Sequence, residues 1–154
     1  MNKAVRAAYH QALQWLTRRE YCEVELRKRL LQREFDDIAI DSAIEELKQY
    51  GYLSESRYAE SFLRSRVQKG DAPWMAAEKA RQKGVDDDVL QEALNALDRD
   101  YDAKAACLMI LSKRDPQEQR RHDPRIWQRQ ARYLRNKGFD ASTIVEALNV
   151  RNED

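Results

Sequence analysis

The segment Lys83-Gly84-Val85-Asp86, with the run Val89-Leu90-Gln91-Glu92-Ala93-Leu94-Asn95 behind it, comes back 54 positions later as Lys137-Gly138-Phe139-Asp140 and Thr143-Ile144-Val145-Glu146-Ala147-Leu148-Asn149. A looser copy, Phe35-Asp36 with Ile40, Ala43 and Ile44, stands 50 positions ahead of Val85-Asp86, Leu90, Ala93 and Leu94. Self-similarity at this interval marks a repeat protein, in which small units stack because none buries its apolar face alone.

Each copy specifies how one helix stops and the next begins. Gly84 and Gly138 fall where a helix ends, and a residue without Cβ takes the left-handed conformation that closes a last turn. An apolar residue follows, then aspartate as N-cap, and the apolar residue packs on the fifth residue after it as a hydrophobic staple. The pairs are Val85 with Leu90, Phe139 with Ile144 and Phe35 with Ile40; with other caps they are Leu53 with Tyr58 around Ser54 and Tyr21 with Leu26 around Cys22. A staple fixes the entry angle of its helix, so a short helix-turn-helix corner recurs along the chain. With 36% charged residues and four glycines, and without sustained alternation of apolar and polar residues, helices are favoured over sheets. The expected fold is all-α, an elongated array of three tandem three-helix repeats over residues 1–53, 54–99 and 100–154.

The helical stripes follow in order. The first helix is expected over 4–19, burying Val5, Ala8, Tyr9, Ala12, Leu13 and Leu16, with Trp15 at the core edge and His10 on the surface. The second, 22–33, opens on Cys22, a weak cap, offers Val24, Leu26, Leu30 and Leu31 to the core and leaves Arg27, Lys28, Arg29 and Arg33 outside. The third, 37–50, buries Ile40, Ala43, Ile44 and Leu47 and stops at Gly51. Ser54 caps a fourth, with Glu55 in its first turn suiting the helix dipole, a stripe of Tyr58, Ala59, Phe62, Leu63 and Val67, and Gly70 at its end. Pro73 opens a fifth, 72–83. Asp86-Asp87-Asp88 reads as cap and first-turn charge, because no spaced ligand set accompanies it. Residues 101–113 are apolar nearly all round and are expected between neighbours. A charged loop, 115–123, leads to Asp123-Pro124, N-cap and N1 proline of a helix that turns Ile126, Trp127, Ala131 and Leu134 inward. The last helix is 141–150, and 151–154 are expected to fray. Tyr52, Trp74 and Trp127 are assigned to the core.

Net charge is +1, so the whole-molecule field makes no strong case for nucleic acid, but the charge is blocked along the chain. From Arg57 to Lys83 there are seven basic residues and three acidic; from Asp86 to Asp102, one and seven; from Gln117 to Arg151, eight and four. Arg121, Arg125, Arg129 and Arg132 recur at intervals of four, four and three, which is one stripe of a helix. The candidate partner-binding set is Arg57, Arg64, Arg66, Lys69, Arg81 and Lys83 with Arg125, Arg129, Arg132 and Arg135. Stacked units would align them on a shared concave surface, and guanidinium forks fit carboxylates and phosphates. Two histidines, His10 and His122, no cysteine pair at ligand spacing and no phosphate-cradling glycine loop leave no convergent catalytic constellation; no enzyme activity, metal or cofactor is expected. Cys22 and Cys107 read as small buried apolar residues of a reducing compartment. With no signal peptide and no apolar run near the roughly 20 residues that span a bilayer, a cytoplasmic monomer without membrane contact is expected.

Glu25-Leu26 with Arg19 upstream, Gly51-Tyr52-Leu53 followed by Arg57-Tyr58, then Phe62, Arg66, Lys69-Gly70, Pro73 and Lys83-Gly84-Val85, taken together, resemble the RecX family of recombination regulators. The resemblance covers most of residues 10–100 and thins beyond them to the Gly138-Phe139 corner. Cys22 stands where that family has a typical serine cap, Asp71-Ala72-Pro73 where it has a second glycine before proline, and Ala80 where it has leucine. The resemblance implies that Gly51, Tyr52, Leu53, Tyr58, Phe62, Gly70, Gly84 and Gly138 are structural. It also implies that the array lies along the groove of the RecA–DNA filament, inhibiting recombinase, ATPase and co-protease activity within the SOS response. The other reading of the basic faces is direct binding of single- or double-stranded DNA by helix-turn-helix-like corners, sequence-independent or operator-type, acting without RecA.

Overall fold

Aspartate side chains set several helix starts. Asp36 accepts the N–H of Ala39 at 2.8 Å, Asp102 that of Ala105 at 3.0 Å, Asp123 that of Arg125 at 2.9 Å and Asp140 that of Thr143 at 2.7 Å. Each such cap contributes about 1 kcal/mol. The result is seen in a computed structural model that describes residues 2–150. Among these residues the chain is all-α, with nine α-helices, one 3-10 turn and no strand. The helices are α1 (Lys3–Leu16), α2 (Glu23–Gln32), α3 (Asp37–Gln49), α4 (Glu55–Gln68), α5 (Pro73–Gln82), α6 (Asp87–Asp98), α7 (Ala103–Arg114), α8 (Pro124–Asn136) and α9 (Ala141–Leu148), with the 3-10 turn at Gln119–Arg121.

The packing groups these elements into two compact units, Met1–Leu63 with Ala77–Asn95, and Arg64–Ala76 with Ala96–Asp154. The middle of the three expected repeats contributes to both. In the first unit α1 and α2 pack on α3, and Ala8, Ala12, Leu26, Leu30, Ile40, Ile44 and Leu47 close the core with the staple residues Tyr21 and Leu53. In the second unit α7 and α8 pack on α9 around Cys107, Leu111, Leu134, Ile144 and Leu148, with the staple residue Phe139. Both cysteines are buried and free; burial raises the Cys22 thiol and pushes that of Cys107 up to about 12, so neither is a reactive thiolate.

The glycines at the corners have the expected left-handed backbone, φ 76° at Gly51, 103° at Gly70, and 102° at both Gly84 and Gly138. They also do something the spacing does not disclose. A Cβ on Gly84 would lie 2.8 Å from Val24 Cγ2, and one on Gly138 would lie 2.9 Å from Met75 Cβ and 3.2 Å from Ala72 Cβ. The Gly84 and Gly138 corners are therefore sites where another helix closes on bare backbone.

Several expectations are corrected. α1 ends at Leu16 rather than 19, because Thr17 turns its hydroxyl back to Gln14 O at 2.7 Å and caps the helix. Val24 and Leu31 remain about half exposed, and α2 buries Leu26 and Leu30. α7 is not enclosed on all sides: Cys107 and Leu111 are buried, but Met109 is 61% exposed. Tyr52 and Trp74 are surface residues, at 50% and 58% exposure. At the Gly51 corner the chain turns Leu53 inward instead of Tyr52, and the indole N–H of Trp74 donates to Gly138 O, so that ring covers a corner from outside. α9 stops at Leu148, not 150, and the fraying expected at 151–154 lies outside the described residues.

The segment expected as a charged loop, 115–123, is a built structure. Asp115 and Arg120 are both buried, 2.9 Å apart, and Arg120 Nε donates at 3.1 Å to Leu148 O at the end of α9. Asp115 also accepts the N–H groups of Gln119 and Arg120 at 2.9 and 3.2 Å.

Candidate partner-binding surface

α8 supplies the clearest surface. Its apolar residues recur at helical intervals, so Leu134 is buried and Ile126, Trp127 and Ala131 are partly buried, while Arg125, Arg129, Arg132 and Arg135 are left exposed on the remaining circumference. None of these four has an acidic partner among the described residues. Arg121, expected on the same stripe, is not part of it: it sits in the 3-10 turn and is tied to Glu118 and to Val150 O. Gln130, on the inner face of α8, is buried and accepts from Arg114 Nε at 2.8 Å. A polar residue at a core position gave no apolar signal by which to find it.

The other candidate residues differ in how free they are. Arg64 and Lys69, in the second unit, are exposed with no acidic partner among the described residues, and so is Lys83, which follows the end of α5 in the first unit. Arg57 donates to Glu20 at 2.9 Å and to Tyr52 O at 3.2 Å, and Arg81 pairs with Asp87 at 2.6 Å and with Glu78. These are exposed pairs, worth about 0–1 kcal/mol, so a partner can displace them at little cost. Arg66 is different. Its carboxylate partner Asp71, 2.8 Å away, has a fully buried side chain, with Lys137 3.7 Å away on the other side. Pulling Arg66 away would take from a buried carboxylate its nearest cation, so Arg66 serves the fold first. Arg57, Arg81 and Lys83 belong to the first unit and the other seven candidates to the second.

Of the motif residues, Tyr58 and Leu53 are buried, and Phe62 is partly buried and stacks on Tyr58 with ring centroids 5.7 Å apart. No group of three or more His, Cys, Asp or Glu that could hold a metal occurs among the described residues, and no described helix is long and apolar enough to cross a membrane.

Comparison with known proteins supplies the rest. The family model described as RecX, first three-helix domain, matches residues 8–47, and that described as RecX, second three-helix domain, matches residues 54–94. The chain is 35% identical to Regulatory protein RecX of Halorhodospira halophila over 99% of its own length and 91% of the relative's. It is 36% identical to Regulatory protein RecX of Pseudomonas entomophila over 94% and 92%. The crystal structure of RecX from Lactobacillus salivarius superposes with a TM-score of 0.76 at 20% identity, covering 97% of this chain and 99% of that one, which establishes the shared fold. The two three-helix family models and 35% identity over nearly the full chain converge: this chain belongs to the RecX family of regulatory proteins.

Proposed function

We propose that this chain is a non-enzymatic regulator of a RecA-type recombinase, acting in the cytoplasm as a monomer: it binds the RecA–DNA filament through successive three-helix repeats and inhibits strand exchange, ATP hydrolysis and co-protease activity. Family membership supports the class of function. The observation that carries the binding surface is α8, where four exposed arginines at intervals of four, three and three have no carboxylate to answer them among the described residues. Like charges three and four apart destabilise a helix by about 0.2–0.5 kcal/mol each. No ion pair among the described residues accounts for them, and a repeated acidic or phosphate-bearing surface would. Weak contacts with successive protomers reinforce one another through effective concentration.

The test is RecA ATP hydrolysis on single-stranded DNA, titrated with the protein. Changing Arg125, Arg129 and Arg132 together to Glu abolishes inhibition while leaving helicity unchanged. Undiminished inhibition removes this face from the mechanism.

Direct DNA binding has one observation in its favour: the Tyr52 ring is half exposed, and exposed aromatic rings are what single-strand binding stacks bases on. Gel shifts with and without RecA separate the two readings, since tight binding without RecA belongs to the DNA reader.

A further inference from the structure

A groove of about 330 Å³ runs between α8 and α9 in the second unit. Its lining is of two kinds. Trp127 and Ala131 from α8 and Ile144 and Val145 from α9 make it apolar; Arg132 and Arg135 bring two guanidinium groups to it. Val145 is left 44% exposed, a large apolar side chain facing solvent over much of its surface. The walls are held in place, because Phe139 and Ile144, the staple of this corner, are both buried and Asp140 caps α9. The acidic groups of α9 are already committed: Asp140 accepts from Thr143 and Glu146 pairs with Lys104 at 3.3 Å. A larger hollow of about 650 Å³ near Arg120 and Arg121 is unlike it, since those arginines are satisfied by Asp115, Glu118 and the carbonyls of Leu148 and Val150.

We infer that the α8–α9 groove is a docking site for an acidic peptide segment of a partner protein that carries one bulky apolar anchor residue. The anchor enters between Ala131 and Val145, against Trp127, and flanking carboxylates meet Arg132 and Arg135 in the bidentate geometry that guanidinium favours. Nucleic acid fits this surface less well, because phosphates would engage the arginines and leave the apolar lining wet. The inference rests on α8 being the partner-facing helix and specifies the chemistry of what it meets.

The experiment uses the full chain and a fluorescein-labelled peptide in which one Phe is flanked on each side by glutamates, read by fluorescence anisotropy. The peptide binds the native protein. Replacing its Phe by Ala weakens binding about tenfold or more, as expected for loss of a central anchor. Val145→Asp in the protein does the same, and being a surface change it leaves the circular dichroism spectrum intact. The double variant Arg132→Glu, Arg135→Glu loses the acidic peptide and gains a peptide with lysines in place of the glutamates, a swap that misfolding cannot imitate. Absence of binding to the native protein overturns the inference. So does affinity that survives either the Phe replacement or Val145→Asp, or a double variant that fails to take the basic peptide. None of these readouts contains RecA, so loss of the recombinase reading and loss of the groove are separate results.

Discussion

At the scale of single residues, glycine decides where helices meet. Gly51 and Gly138 share a left-handed backbone, but only at Gly138 does another helix stand where a side chain would go. Gly51→Ala therefore carries only the backbone cost, about 1–2 kcal/mol, because nothing lies within 4 Å of its Cβ position. Gly138→Ala adds the overpacking of Met75 and Ala72 and costs about 2–4 kcal/mol. Urea denaturation of the two variants measures the difference, and equal losses would contradict the close approach. The interval of 54 residues locates these glycines without a structure, because helix ending is a local property written in local sequence. Contact across a corner is not local, which is why Met75 over Gly138 and Val24 over Gly84 had no signal. The loosest copy shows the same physics by default: Glu34 occupies the equivalent turn with φ 68° and pays the strain that glycine avoids. Glu34→Gly should leave stability unchanged or raise it by up to about 1 kcal/mol in the same assay.

At the scale of elements, helix ends are tied by groups far away in sequence. α2 begins on Cys22, which provides no side-chain cap; Glu55 Oε1, from the first turn of α4, accepts the N–H of Glu23 at 2.5 Å instead. Sequence assigns Glu55 to its own helix dipole, since only the fold brings α2 within reach. Burial raises the Glu55 carboxyl above its ordinary value, outweighing the hydrogen bond from Glu23. A raised carboxylate weighs against the folded state where it is ionised, so Glu55→Gln, which keeps the acceptor, raises the urea midpoint at neutral pH. The gap closes as pH falls and both side chains become neutral. Arg120 closes the end of α9 in a similar way, and its substitution by Met leaves Asp115 buried without its main partner and Leu148 O without a donor. The expected loss is about 3–5 kcal/mol in denaturant titrations. Burial on its own would raise the Asp115 carboxyl, but the N–H of Gln119 and the side chain and N–H of Arg120 together hold it below its ordinary value. That stability is complete above the unfolded carboxylate's range and is lost as pH falls through the lowered range of the folded carboxyl, a slope that Asp115→Asn flattens. A run rich in Gln, Glu and Arg was legible only as polar; the buried pair within it depends on α9 arriving from about thirty residues downstream.

At the scale of the whole molecule, 28 basic and 27 acidic residues leave a net charge of +1, so long-range attraction cannot be what selects a partner. Under the proposed function selection falls to local groups, and the arginines of α8 are four of the exposed basic residues without an acidic partner among the described residues. Their recurrence was readable as a stripe because α8 is one regular helix; the engagement of Arg66, Arg57 and Arg81 was not, since Asp71 and Asp87 follow across a corner and Glu20 lies 37 residues away. Two properties of α8 are separable by experiment: its charge and its forked geometry. Changing Arg125, Arg129 and Arg132 all to Lys preserves every charge and the helix propensity, so a mechanism of charge alone predicts unaltered inhibition of RecA ATP hydrolysis. A mechanism of bidentate contact predicts a loss, because an ammonium is a point donor that cannot hold both oxygens of a carboxylate in one plane. The fork is expected to dominate, with the concentration for half-inhibition rising about tenfold. Its dependence on salt between about 50 and 200 mM should stay as in the native protein, since the number of charges is the same. The triple Glu variant, by contrast, loses both the inhibition and the salt dependence. Native potency in the Lys variant would assign α8 the role of a charged strip and remove the directional contacts from the mechanism.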